Sequence, residues 1–457
     1  MNRAKKNIRE MKNRSVSILG LGRSGVAIAR LSNYLGSKVF ISDKSTTNSE
    51  KENLKSLESV GIQGETGSHS DKIFNTDLMV ISPGVAADSQ VVLEAQKRGI
   101  KVIGEIEFAS LFTNSPIIGV TGSNGKSTTV HALAEMCQTD EVSGVLAGNV
   151  GLAFSSKVLE ELQNPDLKRV YIIEISSFQM EFIETFHPHI SIFLNISSDH
   201  LDRHKTFKNY LNTKLRLAGN QTEQDYVIFN GDDKILVEVL NKHIANKTTF
   251  SPKYSETNIY YVKNSNIINK EYAKLTHLKN IGLPGQHNIY NLLAAASGAH
   301  CLGISDEKIA NVIQSFKGIP HRLESITEIN GIEFINDSKA TNIDAVKVAI
   351  ESYKKPIILI LGGMAKGNDF AELLQFKNKI KNIIAYGTAK EMIHEELSTV
   401  FTVSKIELLK DAVKLSFQKA EIGEIVLLSP GCTSFDQFKN FEDRGNKFAQ
   451  WVRELEK

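Results

Sequence analysis

Short hydrophobic runs alternate with amphipathic stretches along most of this chain. Residues 15–104 hold four apolar runs of buried-strand length, namely SVSILGLG, KVFISD, DLMVIS and KVIGE, with helices expected to begin near Ser24, Ser49 and Asp88. Such alternation is typical of a parallel sheet, because parallel strands need a crossover connection between them. The pattern predicts a first α/β domain over residues 1–104.

The same alternation begins again after residue 104. The strand-like runs there are PIIGVTG, RVYIIEIS, ISIFLNIS and DYVIFNGDD, followed by a β-rich polar patch around NIYYVKNSNIINK. Two helices are predicted at residues 288–302 and 305–316. These elements predict a second α/β domain over residues 105–317.

A hairpin opens the third region, over residues 318–457. Its sequence is LESITEINGIEFIND, and the Asn330-Gly331 pair is a strong signal for a type I′ turn. The apolar runs PIILILGG, NIIAYG and EIVLLSPG follow, and a helix is expected after each. The third region is therefore also predicted to be α/β.

Composition narrows the possible partners. With 54 basic against 52 acidic residues, the net charge of +2 creates no field that would attract nucleic acid or an anionic membrane. The cysteines Cys137, Cys301 and Cys432 are widely separated, so neither a disulfide framework nor a zinc-thiolate site is indicated. We expect a cytoplasmic protein without a membrane segment, since the longest apolar runs have only strand length.

The N-terminal stretch MNRAKKNIREMKNR carries six basic residues and leads into a strand. No apolar signal-peptide segment follows it. We expect a solvated tail here, and translation from Met11 stays open as an alternative.

The loop GLGRSG, at residues 20–25, lies between a predicted strand and a predicted helix. It has the GxGxxG spacing, and Asp43 follows 18 residues after Gly25, at the end of the next strand. This is the pattern of a dinucleotide-binding loop, in which glycines allow a tight turn and an acidic residue contacts the nucleoside. Alone it favours NAD, and glycines serving only packing are the alternative.

A second glycine loop occurs in VTGSNGKSTT, at residues 120–129. Gly122, Gly125, Lys126 and Ser127 form GxxGKS, which is shorter than the usual GxxxxGKS loop. Loop amides would cradle phosphates, the lysine would reach the β and γ phosphates, and the serine would bind Mg²⁺. A surface turn before a helix is the alternative. Two such loops favour an enzyme that holds a nucleotide-linked substrate in one domain and cleaves ATP, with Mg²⁺, in the next.

Other polar residues follow predicted strands but are ambiguous singly. Glu174 at a strand end favours either Mg²⁺ binding or a helix cap, and Arg322 near the last boundary favours either phosphoryl contact or a domain-fixing salt bridge. A polar cluster stands in NDSKATN, and Lys366 follows another strand. His200 and Lys214 cannot be told from structural residues on these grounds.

Taken in order, eight motifs resemble those of the Mur ligase family, from residue 15 to the C-terminus. They are GLGRSG, TGSNGKST, EISSFQ, DHLDRH, HR, NDSKATN, LGG followed by a lysine, and SPGCTSFDQFKNFEDRG. SSFQ, DSKATN and the final motif favour the D-glutamate-adding branch over the alanine-, diaminopimelate- and folate-related branches. The resemblance implies an α/β fold of three domains: a Rossmann-like UDP-binding domain, a central P-loop ATPase-type domain, and a Rossmann-like C-terminal domain for the amino acid.

The resemblance also implies site residues. Those for the UDP-substrate are Gly22, Arg23, Ser24, Asp43, Gly84, Asn149, Ser176 and Gln179. Those for ATP are Gly122, Ser123, Asn124, Gly125, Lys126, Ser127, Thr128, Asn291, Arg322 and Asp337. The implied metal ligands are Ser127, Glu174, His200 and a carbamylated Lys214. Those for D-glutamate are Lys339, Thr341, Lys366, Ser434, Phe435 and Phe441. The implied catalytic residues are Lys126, His200, Lys214 and Arg322.

The activity that the resemblance implies is ATP-dependent ligation of D-glutamate to UDP-N-acetylmuramoyl-L-alanine, through an acyl phosphate, in peptidoglycan precursor synthesis. A monomer is expected. The alternatives are another amino-acid ligase of the family, a Rossmann-type NAD-dependent enzyme, and a nucleotide-binding regulator without catalysis.

Overall fold

The computed structural model describes residues 3–197, 201–271, 273–283, 285–365 and 369–456, except for the side chains of residues 201 and 202. The chain divides into two compact units, Met1–Phe316 and Lys317–Lys457. This division lies one residue from the predicted boundary after residue 317. Among the described residues, no helix combines the length and apolar character needed to cross a bilayer.

A five-stranded parallel sheet opens the first unit. Its strands are β1 Ser15–Leu19, β2 Lys38–Asp43, β3 Gln63–Thr66, β4 Leu78–Ile81 and β5 Lys101–Gly104, in the order β3-β2-β1-β4-β5. The accompanying helices are α1 Arg3–Met11, α2 Arg23–Tyr34, α3 Asn48–Glu58, α4 Gln90–Lys97 and α5 Glu105–Ser110. The four predicted strands are present. The additional edge strand β3 was not predicted, because its sequence QGET has no apolar run.

The N-terminal stretch is a helix and not the solvated tail expected from its charge. Ala4 and Met11 are buried, and Ile8 packs against the same hydrophobic core. These three side chains are spaced i, i+4 and i+7, so one face of α1 is apolar while its basic residues face solvent. The expectation was wrong because it considered the number of basic residues and not the spacing of the three apolar residues.

A second parallel sheet lies in the same unit. Its strands are β6 Ile117–Thr121, β7 Ser143–Gly148, β8 Arg169–Glu174, β9 Ile190–Phe193, β10 Tyr226–Asn230 and β11 Asn246–Phe250, in the order β11-β10-β9-β6-β8-β7. The associated helices are α6 Lys126–Met136, α7 Phe154–Gln163, α8 Ser177–Met180, α9 Leu201–His204, α10 Phe207–Leu215, α11 Lys234–Leu240, α12 Gln286–Cys301 and α13 Asp306–Ser315. The polar patch forms a three-stranded antiparallel sheet of β12 Tyr260–Lys263, β13 Asn266–Asn269 and β14 Lys274–His277. The edge strands β7 and β11 were not predicted.

The second unit contains one six-stranded sheet. Its strands are β15 Glu324–Ile329, β16 Ile332–Asn336, β17 Ile357–Gly362, β18 Ile380–Tyr386, β19 Thr402–Ile406 and β20 Ile425–Gly431, in the order β15-β16-β20-β17-β18-β19. Its α-helices are α14 Ile343–Glu351, α15 Lys390–Leu397, α16 Leu409–Lys419 and α17 Phe441–Glu454. The predicted hairpin is confirmed, with φ of 51° at Asn330 and 76° at Gly331, as a type I′ turn requires. The helix expected after β17 is instead the 3-10 helix Phe370–Phe376.

Both glycine loops follow an inner strand of a parallel sheet. Strand β1 lies between β2 and β4, and β6 lies between β9 and β8. In each sheet the strand order therefore reverses direction beside the strand that carries the loop. Ligands of open α/β sheets bind at such switch points, beyond the carboxyl ends of the strands. The topology therefore places both loops where nucleotides bind.

Candidate active site

The first loop joins β1 to the N-terminus of α2. A Cβ atom on Gly25 would lie 1.8 Å from the carbonyl oxygen of Gly20, so only glycine permits this close turn. Gly22 caps α2 without any side-chain hydrogen bond to the first helical amides. These amides can therefore receive a phosphate group, aided by the helix dipole.

Beside this loop is a cleft of about 590 Å³. All but one of the residues implied for the UDP-substrate line it, namely Gly22, Arg23, Ser24, Asp43, Gly84, Asn149 and Gln179. The exception is Ser176, whose hydroxyl accepts a hydrogen bond from the Gln179 amide (3.4 Å) in a capping box at the start of α8.

The Asp43 side chain shapes the cleft by accepting hydrogen bonds from two backbone amides. Its Oδ2 accepts a hydrogen bond from the Leu21 amide (2.6 Å), and its Oδ1 accepts one from the Ser45 amide (2.8 Å). The carboxylate thus joins the glycine loop to the turn after β2. The residue predicted to contact the nucleoside also holds the loop in shape.

Several residues that line the cleft were not predicted, including Lys44, Glu50, His69 and Ser89. Lys44 follows Asp43 directly at the end of β2, so its position along the chain was a usable signal. His69 follows β3, the strand that the hydrophobic pattern did not reveal. Burial, reinforced by the nearby Lys44 ammonium, lowers the pKa of His69.

The second loop joins β6 to α6. Gly125 has a φ of 86°, and a Cβ atom there would lie 2.3 Å from Oδ1 of Asn291 on α12. The structure therefore brings the predicted Asn291 against the loop. Like α2, helix α6 has no side-chain hydrogen bond at its N-cap, so its first amides can receive phosphate.

Two lysines converge on this loop. Lys126 Nζ donates to the carbonyl oxygens of Gly122 (2.8 Å) and Ser123 (2.9 Å). Lys214 Nζ, on a side chain that is only 2% exposed, donates to the same Gly122 carbonyl at 3.0 Å. Two cations that share one carbonyl oxygen create a locally positive site, which favours a polyphosphate.

Glu174 lies next to the loop because it pairs with Val120 of β6 across the sheet. It is 2% exposed, and its Oε1 accepts a hydrogen bond from Asn149 Nδ2 at 2.7 Å. Its Oε2 is buried without a hydrogen-bond partner among the described residues. A buried carboxylate oxygen without a partner is costly, so Glu174 fits a divalent cation that would complete its coordination. His200 lies outside the described residues.

The second unit carries the two remaining residues implied for ATP. Arg322 lies between His321 and Leu323, whose φ angles of 65° and 47° are uncommon for residues other than glycine. Asp337 is buried and accepts hydrogen bonds from Ser429 Oγ (2.8 Å) and the Leu323 amide (3.2 Å). Burial raises the pKa of Asp337 to about 7, against the opposing effects of these hydrogen bonds and of nearby cations.

The residues implied for D-glutamate lie on two loops and a helix start of the second unit. Lys339 and Thr341 follow β16, while Ser434 and Phe435 follow β20, which pairs with β16. Phe441 begins α17. The two loops therefore leave the same sheet edge, whereas Lys366 lies outside the described residues.

Three family models match the chain in succession. They are the Mur ligase MurD-like N-terminal domain over residues 14–104, the Mur ligase middle domain over residues 120–299, and the Mur ligase glutamate ligase domain over residues 321–432. The chain belongs to the Mur ligase family. This confirms the predicted α/β fold of three domains, and it removes the basis for interpreting the first loop as an NAD site.

Curated relatives narrow the comparison to one kind of ligase. The chain is 40% identical over 459 residues to UDP-N-acetylmuramoylalanine--D-glutamate ligase of Thermoanaerobacter sp. strain X514, covering 98% of this chain and 99% of the relative. It is 38% identical over 453 residues to the ligase of the same name in Christiangramia forsetii, covering 97% and 100%. The crystal structure of UDP-N-acetylmuramate-alanine ligase from Thermotoga maritima shares the fold, with a TM-score of 0.58, 17% identity, and coverage of 97% and 100%.

Proposed function

We propose that this chain is an ATP-dependent ligase that joins D-glutamate to UDP-N-acetylmuramoyl-L-alanine in peptidoglycan precursor synthesis. One observation supports this proposal independently of the names of the relatives. Asn149 lines the first cleft and also donates a hydrogen bond to Glu174 beside the second loop. A substrate that extends along the cleft would thus reach the phosphate site with its far end.

The proposed reaction has two steps. The alanyl carboxylate oxygen attacks the γ-phosphorus of ATP, the bond to the bridging oxygen breaks, and ADP leaves with that oxygen. The amine of D-glutamate then attacks the acyl phosphate carbon, inorganic phosphate leaves, and the amine loses a proton. Phosphorylation is needed because a free carboxylate has no adequate leaving group for attack by an amine.

In each step, both reacting molecules carry negative charge. Positively charged side chains of this chain would reduce the repulsion between them. Lys126 and Arg322 are the proposed phosphoryl contacts, and the amides of Gly125 and Thr128 are proposed to cradle the phosphates, because the Ser123 and Asn124 amides already donate hydrogen bonds to Asn195. The acyl phosphate is sensitive to water, so we expect substrate binding to close the site.

Mg²⁺ is the proposed metal, with Ser127, Glu174, His200 and a carbamylated Lys214 as ligands. When bound, it would neutralise charge on the phosphates. Glu174 Oε2 has no hydrogen-bond partner in the part of the chain that the structure describes, which supports a metal ion at this position. A carbamate would convert the Lys214 cation into a carboxylate-like ligand.

The remaining assignments are also proposals. The domains are taken as residues 1–104, 105–317 and 318–457. Asn291 and Asp337 are assigned to ATP, and Ser176 and Gln179 to the sugar-peptide. Lys339, Thr341, Lys366, Ser434, Phe435 and Phe441 are assigned to D-glutamate. We further propose a cytoplasmic monomer, which fits the three free cysteines.

Phosphate release from ATP tests the proposed function. With UDP-N-acetylmuramoyl-L-alanine present, release should require D-glutamate and should yield one phosphate for each product molecule. Release that is independent of D-glutamate, or equal with L-alanine or diaminopimelate, would instead favour a different ligase of the family.

A further inference from the structure

Arg444, on helix α17, is a fully buried arginine that the proposed mechanism does not use. Its side chain is 0% exposed. Nε and Nη2 donate to Oγ (2.9 Å) and O (2.8 Å) of Ser338, while Nη1 donates to the Cys432 carbonyl (3.0 Å) and the Tyr386 hydroxyl (3.3 Å). All of these acceptors are uncharged.

A buried cation is ordinarily paired with a carboxylate, because burial without a counter-charge is costly. Among the described residues, the hydrogen-bond partners of Arg444 are the Ser338, Cys432 and Tyr386 oxygens, and none of them is a carboxylate. Asp436 is close enough to act electrostatically on Tyr386 and Cys432, as Arg444 does, but its Oδ2 accepts a hydrogen bond from the Thr388 amide (3.3 Å), and its Oδ1 is buried without a hydrogen-bond partner among the described residues. The guanidinium charge is therefore not neutralised by direct pairing within the described structure.

The acceptors of Arg444 belong to the segments that carry the proposed D-glutamate residues. Ser338 directly precedes Lys339, and Cys432 lies two residues before Ser434. The Ser338 hydroxyl also donates to the carbonyl of Phe441 at 2.8 Å. One guanidinium thus connects both loops and, through Ser338, the start of α17.

We propose that Arg444 is a positioning residue that also determines specificity for an acidic amino acid. Its hydrogen bonds hold the two loops in register. Its charge, which has no ion-pair partner, favours a substrate that brings an additional carboxylate into this region, because charges interact strongly where water is excluded. The inference rests on the proposed function, since it concerns the amino acid assigned to this unit.

Substitutions at Arg444 separate charge from geometry. Arg444→Gln removes the charge, whereas Arg444→Lys keeps it but cannot reproduce the guanidinium fork. We expect Arg444→Gln to raise the KM for D-glutamate about tenfold or more and to lower the preference for D-glutamate over D-glutamine by a similar factor. Arg444→Lys should keep that preference within about threefold while kcat falls. The KM values for ATP and the UDP-substrate should stay within about twofold in both.

Arg453 provides the matched control, because it is an exposed arginine on the same helix. Arg453→Gln should leave all constants unchanged. If both Arg444 variants change the preference equally, or if neither changes it, the charge has no role in specificity and the inference is wrong.

If the Arg444 variants do not fold, Ser338→Ala tests the proposed role of Arg444 instead. It removes one acceptor and keeps the cation, so kcat/KM for D-glutamate should fall at least about threefold while the preference over D-glutamine is retained. A variant that matches the wild type, or one that loses the preference, overturns the inference.

If the wild-type protein releases no phosphate with D-glutamate, the proposed function itself fails. Wild-type turnover with unaffected variants contradicts only the role of Arg444.

Discussion

The two glycine loops of the first unit have the same backbone design but different surroundings. Each follows an inner strand of a parallel sheet and opens onto a helix whose N-terminus has no side-chain cap. Both loops have cations nearby, Arg23 and Lys44 in the first cleft of about 590 Å³, and Lys126 and Lys214 at the second loop. The second loop differs in having beside it the buried Glu174, whose Oε2 has no hydrogen-bond partner among the described residues.

The difference shows what a glycine loop does and does not determine. Backbone amides at a helix N-terminus attract phosphate wherever they occur. Amides, cations and a cleft of suitable shape are enough to hold a diphosphate, but transferring a phosphoryl group is helped further by a bound metal ion, for which a buried carboxylate is a suitable ligand. Side chains around the loop, and not its glycines, separate a binding site from an energy-supplying site.

Lys126→Ala should have the largest effect. Loss of this ammonium removes a cation from the second loop only, so D-glutamate-dependent phosphate release should fall about 10³-fold or more. The affinity for the UDP-substrate, measured by calorimetry, should change less than about twofold. A comparable loss of that affinity would mean that the two loops do not act separately.

Glu174→Gln should have the next largest effect. The substitution keeps the shape and the contact with Asn149 but removes the negative charge that we assign to Mg²⁺, so turnover should fall about 10²-fold. The Mg²⁺ concentration required for half-maximal turnover should rise. An unchanged Mg²⁺ requirement would contradict the assignment of Glu174 as a metal ligand.

Gly25→Ala tests the geometry of the first loop. Since the added Cβ would lie 1.8 Å from a backbone oxygen, we expect a loss of about 3 kcal/mol in the free energy of unfolding. Gly22→Ala is the matched control, because its Cβ would meet no atom within 4 Å and its φ is −73°. Chemical denaturation should show a loss for the first variant only, and equal stabilities would refute the close approach.

Asp337 should alter the pH dependence of unfolding, and this effect should be confined to the second unit. Its pKa is about 7 in the folded protein against an ordinary value of 3.8, so between these values the folded state binds more protons than the unfolded state. Stability should therefore fall as pH rises from about 4 to about 7, by at most about 1.4 kcal/mol per pH unit. Asp337→Asn should remove this contribution to the slope, and an unaltered pH profile of unfolding would contradict the raised pKa.

The sequence predicted the central strands and both loops, because apolar runs and glycines at fixed spacings directly reflect burial and tight turns. Two edge strands, β5 and β15, were predicted, but four others were missed, because β3, β7, β11 and β19 lack a continuous apolar run. The helical N-terminus was missed for a related reason, since only Ala4, Ile8 and Met11 form its apolar face.

Arg444 was missed because an arginine in a helix is usually solvated. A signal was nevertheless present: Arg444, Phe448 and Val452 are spaced i, i+4 and i+8, so the arginine lies on the buried face of α17. Its partners, however, come from β18, the loop after β16 and the loop after β20. Sequence spacing alone could not bring these three segments together.

Calorimetric titration of the wild-type protein tests most directly whether the two loops hold different nucleotides. The UDP-substrate should bind with one equivalent per chain, both to the free protein and to protein saturated with a non-hydrolysable ATP analogue and Mg²⁺. Displacement of the analogue by the UDP-substrate, or loss of binding in its presence, would show one shared nucleotide site and contradict the account.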